Sequence, residues 1–343
     1  MKGKELFLKA LNFEATPRLP VGILDGFTWI VKRDKISYKD LLNAKDFGAS
    51  HVIKAYDDFG VDNVCGINIS NFFIKYMGGE VCYDKIGENF EVTKAPLKTL
   101  GEITNYSVDE LIEKALADKE FIAGLKQVTA LKEHYGDERL VIGISWGPFT
   151  FAGMMVGIQN FLAQVFDDED DTQQIIEFAT ELIGRFAQLL IEYGADVFMV
   201  GDPVASGDMI SPSMFEEFAL PSIEAIAEQL NKLGIKYLVH ICGSTISRVE
   251  PLLNSGIAAL SVDTIDLEKA LSLARGNYAI CGDLNPYEVL QIKTADEVYA
   301  HCCNRANIAG LSGGFIMMPG CDLAPNIPLE NLKAMVKAAH DTI

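Results

Sequence analysis

One imidazole and two thiols form the set of side chains in this sequence best suited to chemistry. His240 and Cys242 lie in the segment LVHICGS (238–244), and Cys321 lies in MMPGCDLAP (317–325). Both segments predict the end of an apolar strand that runs into a glycine-containing loop. Residues two apart on a strand point to the same face, so His240 and Cys242 can aim at one point. One imidazole with two thiolates suits zinc, and three protein ligands leave a fourth position open, as in catalytic zinc sites.

Packing is the competing interpretation of these cysteines, because cysteine is often buried as a small apolar residue. On spacing alone, a His-x-Cys pair with one distant cysteine does not decide between packing and metal binding. Four other cysteines lack such a setting and are interpreted as packing residues: Cys65, Cys82, Cys302 and Cys303. Cys281, at the end of another predicted strand, is a more distant candidate for a fourth ligand.

Acidic residues also follow predicted strands, and Asp202 is the main candidate among them for a catalytic role. It directly follows the strand that ends near Gly201, where its carboxylate is expected to orient His240 or to contact a substrate. The alternative is that Asp202 only caps a helix or satisfies a loop. Asp263 is open to the same two interpretations, either as a site residue or as the cap of the next helix.

Composition excludes several classes of protein. The chain has 343 residues, 49% of them hydrophobic, which is ample for a large core. Its net charge of −19 argues against a nucleic-acid partner. The seven scattered cysteines suggest a reducing compartment, so we expect a cytoplasmic protein. The uncharged stretch 140–166 contains Pro148 and four glycines, and it predicts a strand, a loop and a helix, with no membrane span.

Strand and helix patterns alternate from residue 139 onward. The strands are short apolar runs, as expected for parallel strands buried on both faces. Predicted strands are Leu19–Leu24, Val61–Cys65, Val81–Tyr83, Leu140–Trp146, Val197–Val200, Lys236–His240, Ala258–Val262, Tyr278–Cys281 and Gly314–Met317. Predicted helices are Gln173–Glu192, after a solvated acidic start at 167–171, and Met214–Leu233, Ser247–Asn254, Asp266–Ala274, Ala295–Ala309 and Leu329–His340. This order predicts an α/β fold, a single (β/α)8 barrel domain over residues 1–343, with its chemistry at the carboxyl ends of the strands. A doubly wound nucleotide-binding sheet is disfavoured because no glycine-rich phosphate loop follows a strand.

Several longer segments resemble the uroporphyrinogen decarboxylase superfamily. They are YGADVFMVGDPVAS (193–206), ISPSMFEEF (210–218), GDLNP (282–286) and NIPLENL (326–332). The resemblance implies a (β/α)8 barrel, in agreement with the strand count. Within that superfamily the chain looks like the zinc methyltransferase branch, which includes methylcobamide:coenzyme M methyltransferases. That branch carries a His-x-Cys motif followed by a distant cysteine, and His240, Cys242 and Cys321 match it.

The resemblance implies a zinc-dependent methyltransferase that moves a methyl group between a methylated corrinoid protein and a thiol such as coenzyme M. Two alternatives stay open: a decarboxylase-type lyase, and a first-step enzyme that transfers a methyl group from a methylated donor to a corrinoid protein. A noncatalytic corrinoid-binding protein is less favoured, since such a protein needs no thiolate-activating metal. The decarboxylase branch uses an arginine-rich N-terminal loop, and the matching stretch 17–29 has only Arg18. None of the five histidines lies in a DxHxxG loop, so the corrinoid is expected on a separate partner protein.

Overall fold

A computed structural model describes residues 1–165, 169–274 and 276–342 of the chain. Seven strands form one parallel sheet in the order β1-β4-β5-β6-β7-β8-β9, and β2 and β3 form a separate antiparallel pair. The strands are β1 Asn63–Cys65, β2 Glu80–Cys82, β3 Glu91–Lys94, β4 Leu140–Trp146, β5 Val197–Gly201, β6 Lys236–Ile241, β7 Ala259–Val262, β8 Ala279–Leu284 and β9 Phe315–Pro319.

The segment 19–24 links the two edges of the parallel sheet and closes the barrel. Val21 forms a parallel bridge with Met317 of β9, and the Gly22 N–H donates to the Met317 carbonyl at 2.9 Å. On the other edge, the Asp62 N–H donates to the Val21 carbonyl at 2.8 Å. The Asn63 side chain then takes the place of ladder bonds, since it accepts from the Ile23 N–H and donates to the Ile23 carbonyl, both at 2.9 Å. The eighth position of the barrel is therefore filled by a short bridged segment.

Helices surround the sheet on its outer side. They are α1 Gly3–Leu11, α2 Phe27–Asp34, α3 Tyr38–Asn43, α4 Ala49–Phe59, α5 Asn71–Tyr76, α6 Val108–Ala117, α7 Lys119–Tyr135, α8 Pro148–Val156, α9 Ile158–Gln164, α10 Glu169–Glu192, α11 Pro212–Met214, α12 Leu220–Lys232, α13 Ile246–Val249, α14 Leu267–Ala274, α15 Ala295–Ala309 and α16 Leu329–Asp341. Short 3-10 turns span Leu100–Asn105, Pro203–Ala205 and Pro251–Asn254, and π turns span Phe215–Ala219 and Pro286–Gln291.

The predicted (β/α)8 fold is confirmed, with three local corrections. The strand predicted at Leu19–Leu24 is a single bridge, partly because Pro20 has no N–H to donate. The strand predicted at Val81–Tyr83 is β2, which pairs with β3 outside the barrel. The helix predicted at Ser247–Asn254 breaks before Pro251, whose ring cannot continue an α-helix. Of the predicted acidic helix start, Asp167 and Asp168 lie outside the described residues, and α10 begins at Glu169.

The sheet is buried on both of its faces. Every residue of β7, β8 and β9 is buried, as are Tyr237 to Ile241 of β6. This explains the unbroken apolar runs in the sequence, because the helices cover one face and barrel side chains fill the other. Each fully buried leucine, isoleucine or valine contributes on the order of 1.5–3 kcal/mol. Among the helices of the described residues, none has the length and apolar character needed to cross a membrane.

Candidate metal centre and its cavity

His240, Cys242 and Cys321 converge at the carboxyl end of the barrel. His240 is the penultimate residue of β6. It is paired with Gly201 of β5 on one side and with Ser261 of β7 on the other. Cys242 follows β6, and Cys321 follows β9 after one glycine. Their ligand atoms all lie within 4.8 Å of one another. Residues 79 positions apart in sequence are thus brought together by the closure of the barrel.

Among the described residues, one of the two ring nitrogens of His240 has a hydrogen-bond partner and the other has none. Nδ1 lies 3.2 Å from the Ser261 hydroxyl oxygen, and the side chain is buried. Nε2 is enclosed and has no hydrogen-bond partner within the described part of the chain. A buried ring nitrogen without a partner costs free energy unless a proton donor or a metal ion meets it. A metal ligand with its other nitrogen fixed by a neighbour has this same arrangement.

The two thiols lie close enough to shift each other's pKa. A hydrogen bond from Cys321 lowers the pKa of Cys242, although burial opposes this shift. The pKa of Cys321 rises to about 12, because its proton is held by Cys242 and because it is largely buried. Cys242 is therefore the more acidic of the two thiols. A metal ion would ionise both, since coordination ionises a thiol outright.

Two glycines allow the loops to carry the cysteines into this position. Gly243, next to Cys242, has φ +70°, and a side chain there would collide with the Asp208 carboxylate. Gly320 precedes Cys321, and a Cβ on it would lie 2.8 Å from the Asp263 Cα. Both close approaches need glycine, for the left-handed backbone at Gly243 and for space at Gly320.

A cavity of about 510 Å³ opens at this end of the barrel, and all three residues line it. Its walls combine aromatic, apolar and acidic side chains with several amides and hydroxyls. The lining includes Leu24, Asp25, Thr28, Tyr38, Asn68, Asn71, Asn89, Phe90, Glu91, Ile144, Trp146, Thr150, Met154, Ile158 and Asp322. A concave, mostly apolar pocket with a few convergent polar groups is typical of a small-molecule site.

Asp202 lies beside the cavity, and its carboxylate contacts α8. Its Oδ1 accepts from the Thr150 N–H at 2.7 Å and from the Thr150 hydroxyl at 2.5 Å, so it caps the start of that helix. Its hydrogen bond to His240 runs through the backbone, where the Asp202 N–H donates to the His240 carbonyl at 2.8 Å. Burial raises the pKa of Asp202 to about 6, against the hydrogen bonds from Thr150. The predicted catalytic role of Asp202 stays a prediction.

Asp263 and Cys281 are the other candidate site residues from the sequence. Asp266, and not Asp263, accepts from a backbone N–H at the start of α14, at 3.0 Å from the Lys269 nitrogen. Asp263 instead receives a backbone hydrogen bond from Gly243, and burial raises its pKa. Cys281 is fully buried in β8 and is not part of the His–Cys cluster found among the described residues. Ser261 and Asp322 were missed by sequence reasoning, although Asp322 directly follows Cys321.

The family of the chain follows from comparison with known proteins. The family model described as uroporphyrinogen decarboxylase (URO-D) matches residues 2–342, so the chain belongs to this family of (β/α)8-barrel proteins. The methylcobamide:CoM methyltransferase MtbA of Methanosarcina mazei is 31% identical over 246 residues, which cover 71% of this chain and 68% of the relative.

One further relative and one solved structure come from the same source organism. The methylated-thiol–coenzyme M methyltransferase of Methanosarcina mazei is 28% identical over 64% of this chain, and the match spans 58% of that protein, less than two thirds of its length. A solved structure described as a methyltransferase from Methanosarcina mazei superposes with a TM-score of 0.89 over 99% of both chains, at 23% sequence identity. That likeness supports the fold.

Proposed function

We propose that the chain is a zinc-dependent methyltransferase that moves a methyl group between a methylated corrinoid protein and the sulfur of a small thiol. One observation carries the proposal: His240, Cys242 and Cys321 converge within 4.8 Å at the wall of a cavity, and the buried Nε2 of His240 has no hydrogen-bond partner among the described residues. The relatives named above are methyltransferases that act on methylcobamide or methylated thiols and on coenzyme M, which supports the same reaction class.

The donor set fits zinc, because one imidazole and two thiolates are soft to borderline ligands that leave a position open for substrate. Zinc, when bound, would keep a substrate thiol ionised at neutral pH, where a free thiol of pKa ~8.5 is mostly protonated. His240, Cys242 and Cys321 would hold the ion, and Ser261 would orient the imidazole. In the transfer a carbon–sulfur bond forms and a cobalt–carbon bond breaks, leaving its electron pair on cobalt, while the thiol proton goes to solvent.

The corrinoid is proposed to arrive on a separate protein that docks over the cavity, since no histidine of this chain lies in a DxHxxG loop. We also propose that residues 1–343 form a single catalytic domain. A decarboxylase is disfavoured because Arg18 is engaged elsewhere. Its guanidinium forms a two-pronged ion pair with Asp62, at 2.8 and 2.7 Å, and it is absent from the cavity lining of the described residues.

The test is demethylation of methylcobalamin, followed by its visible absorbance, with a series of small thiols. We expect turnover with the zinc-loaded protein, loss of turnover on complete zinc removal, and recovery when zinc and not magnesium is returned. The variant His240→Ala should be inactive, and the surface variant Glu224→Gln should behave as the parent. Turnover that persists unchanged without zinc would contradict the proposal.

A further inference from the structure

Gly201 is the last residue of β5 and lies between two side chains of the cavity wall. In the register of the sheet it is paired with Trp146 of β4 on one side and with His240 of β6 on the other. All three residues line the cavity. The four preceding residues of β5 are buried, whereas Gly201 is partly exposed. The three neighbouring strand ends therefore have a gap in the middle, bounded by an indole and by the imidazole of the metal-ligand trio.

Neither the backbone nor the packing of the described residues requires a glycine at position 201. Glycine in a strand often marks a bulge, a second backbone that passes close by, or the approach of a ligand. The ladder on both sides of Gly201 runs in regular register without a bulge, and its φ lies outside the left-handed region. A Cβ on Gly201 would meet no atom of the described residues nearer than 3.8 Å, and the atoms it would meet belong to side chains. Of the three reasons for a glycine, the approach of a ligand remains.

The two walls of this gap have fixed orientations. The Trp146 Nε1–H donates to Oδ1 of the buried Asn71 at 2.7 Å, and the Asn71 amide donates in turn to the Phe90 carbonyl at 2.9 Å. With the indole held in this way, its carbons Cε3 and Cζ3 face Gly201, each 3.8 Å from where a Cβ would lie. The opposite wall is Cδ2 of His240, at 4.0 Å from that Cβ position, and Cδ2 is the ring carbon bonded to Nε2. A ligand sulfur bound on the Nε2 side of the imidazole would therefore have its carbon chain beside Gly201.

We infer that Gly201 is a specificity-determining residue: the carbon chain of the thiol substrate lies over it, in the gap between the Trp146 ring and the His240 imidazole. The inference rests on the proposed function for the sulfur, which lies at the metal-ligand trio, and it adds the position of the chain. Methylene groups suit this gap, because dispersion contact with ring carbons and a bare Cα needs no polar partner. The charge of the far end of the thiol does not enter, since that end lies beyond the gap.

The test fills the gap with one methyl group. Gly201→Ala needs no rearrangement of the strand, so its zinc affinity, measured by competition with a chromophoric chelator, should equal that of the parent. Binding to the zinc-loaded protein is then measured by calorimetry with hydrosulfide, which has no carbon chain, and with 2-mercaptoethanol and 2-mercaptoethanesulfonate. Zinc content is checked after each titration. We expect Gly201→Ala to bind both two-carbon thiols roughly tenfold or more weakly, because an added methyl in a fitted space displaces the chain. Hydrosulfide should keep the parental affinity, since it has no chain to displace.

Gly26→Ala is the matched control. A Cβ on Gly26 would also make only ordinary contacts, the nearest at 3.6 Å, and Gly26 is not among the described residues that line the cavity. This variant should bind all three ligands as the parent does. Because each variant is compared with itself on ligands with and without a chain, a general loss of folding does not mimic the expected result.

The possible outcomes separate this inference from the proposed function. Unchanged affinity of Gly201→Ala for the two-carbon thiols overturns the inference, and so does an equal loss for hydrosulfide, which would place the effect on the metal site. Methyl transfer from methylcobalamin with the same KM for thiol in the parent and in Gly201→Ala also rejects the inference and leaves the proposed function standing. A selective loss of two-carbon thiol binding, in a protein that transfers no methyl group to any thiol, supports the inference and rejects the proposed function.

Discussion

The Ser261 hydroxyl lies 3.2 Å from Nδ1 of His240, on the neighbouring strand of the barrel. This contact holds the imidazole through Nδ1, while Nε2 has no hydrogen-bond partner in the described part of the chain. A neighbour of this kind sets which ring nitrogen is available to a metal ion, and its loss commonly weakens metal binding.

Replacement of this hydroxyl should lower zinc affinity without removing a ligand. We expect Ser261→Ala to bind zinc roughly 10- to 100-fold more weakly, because the ring loses the group that orients it. The measurement is competition with a chromophoric chelator. Ser145→Ala is the matched control, since Ser145 is buried on β4 and its hydroxyl has no partner among the described residues. Equal affinities in the two variants would show that the contact does not tune the site.

The zinc content of the protein should depend on both Cys242 and Cys321. Cys242→Ala and Cys321→Ala should each lose most bound zinc, because two ligands cannot hold a tetrahedral site tightly. Cys281→Ala should keep it, since that sulfur is buried in β8 outside the cluster. Zinc is measured by elemental analysis after dialysis, with thermal unfolding to check that each variant is folded. Full zinc occupancy in either of the first two variants would reject the ligand set.

Local patterns in the sequence predicted the elements but not the contacts between them. The apolar runs at 140–146 and 236–240 predicted β4 and β6 to within one residue of their observed bounds. Buried parallel strands have a strong apolar signal, which explains this accuracy. The His-x-Cys spacing on a strand likewise predicted a shared direction for His240 and Cys242. The partner of His240 is Ser261, which depends on the register of two strands and leaves no local signal. The meeting of Asp25 and Asp322 in the cavity escaped prediction for the same reason, since it depends on the closure of the barrel.

The burial of Asp202 predicts a specific pH dependence of stability. Its pKa is about 6 in the folded protein, against 3.8 for the free side chain. The folded state therefore binds the proton more tightly, so the cost of burying the carboxylate is absent below pH ~4, grows through pH ~4–6 and reaches about 3 kcal/mol above pH ~6. Asp202→Asn keeps the acceptor for Thr150 and removes this cost.

Relative to the parent, Asp202→Asn should therefore gain about 1 kcal/mol of stability between pH 5 and pH 7.5. Urea unfolding at the two values measures it, and Glu224→Gln should give no such change. A gain that is independent of pH would contradict the shifted pKa. A catalytic role of Asp202 would have a different signature: in Asp202→Asn, kcat/KM of methyl transfer would fall strongly at unchanged stability.

Arg248 anchors the loop beside Cys242 to the barrel through buried hydrogen bonds. Its side chain is fully buried, and it donates to the backbone carbonyls of Ala205 at 3.0 Å and Ile210 at 2.6 Å. Between these two points the loop carries Asp208, whose carboxylate accepts from the Ser244 N–H at 2.8 Å, two residues after Cys242. A planar guanidinium can reach both carbonyls at once, whereas a lysine ammonium is a single point of contact.

Arg248→Lys should therefore destabilise the protein by about 2–4 kcal/mol, since at least one buried carbonyl loses its charged donor. Urea unfolding of the zinc-loaded protein measures the change. The matched control is Arg185→Lys, where the arginine is exposed on α10 and pairs with Asp109 at 2.9 Å. An exposed pair of this kind contributes at most about 1 kcal/mol, so this variant should unfold near the parental midpoint. An equal loss of stability in Arg248→Lys and Arg185→Lys would mean that the buried guanidinium of Arg248 does not hold the loop.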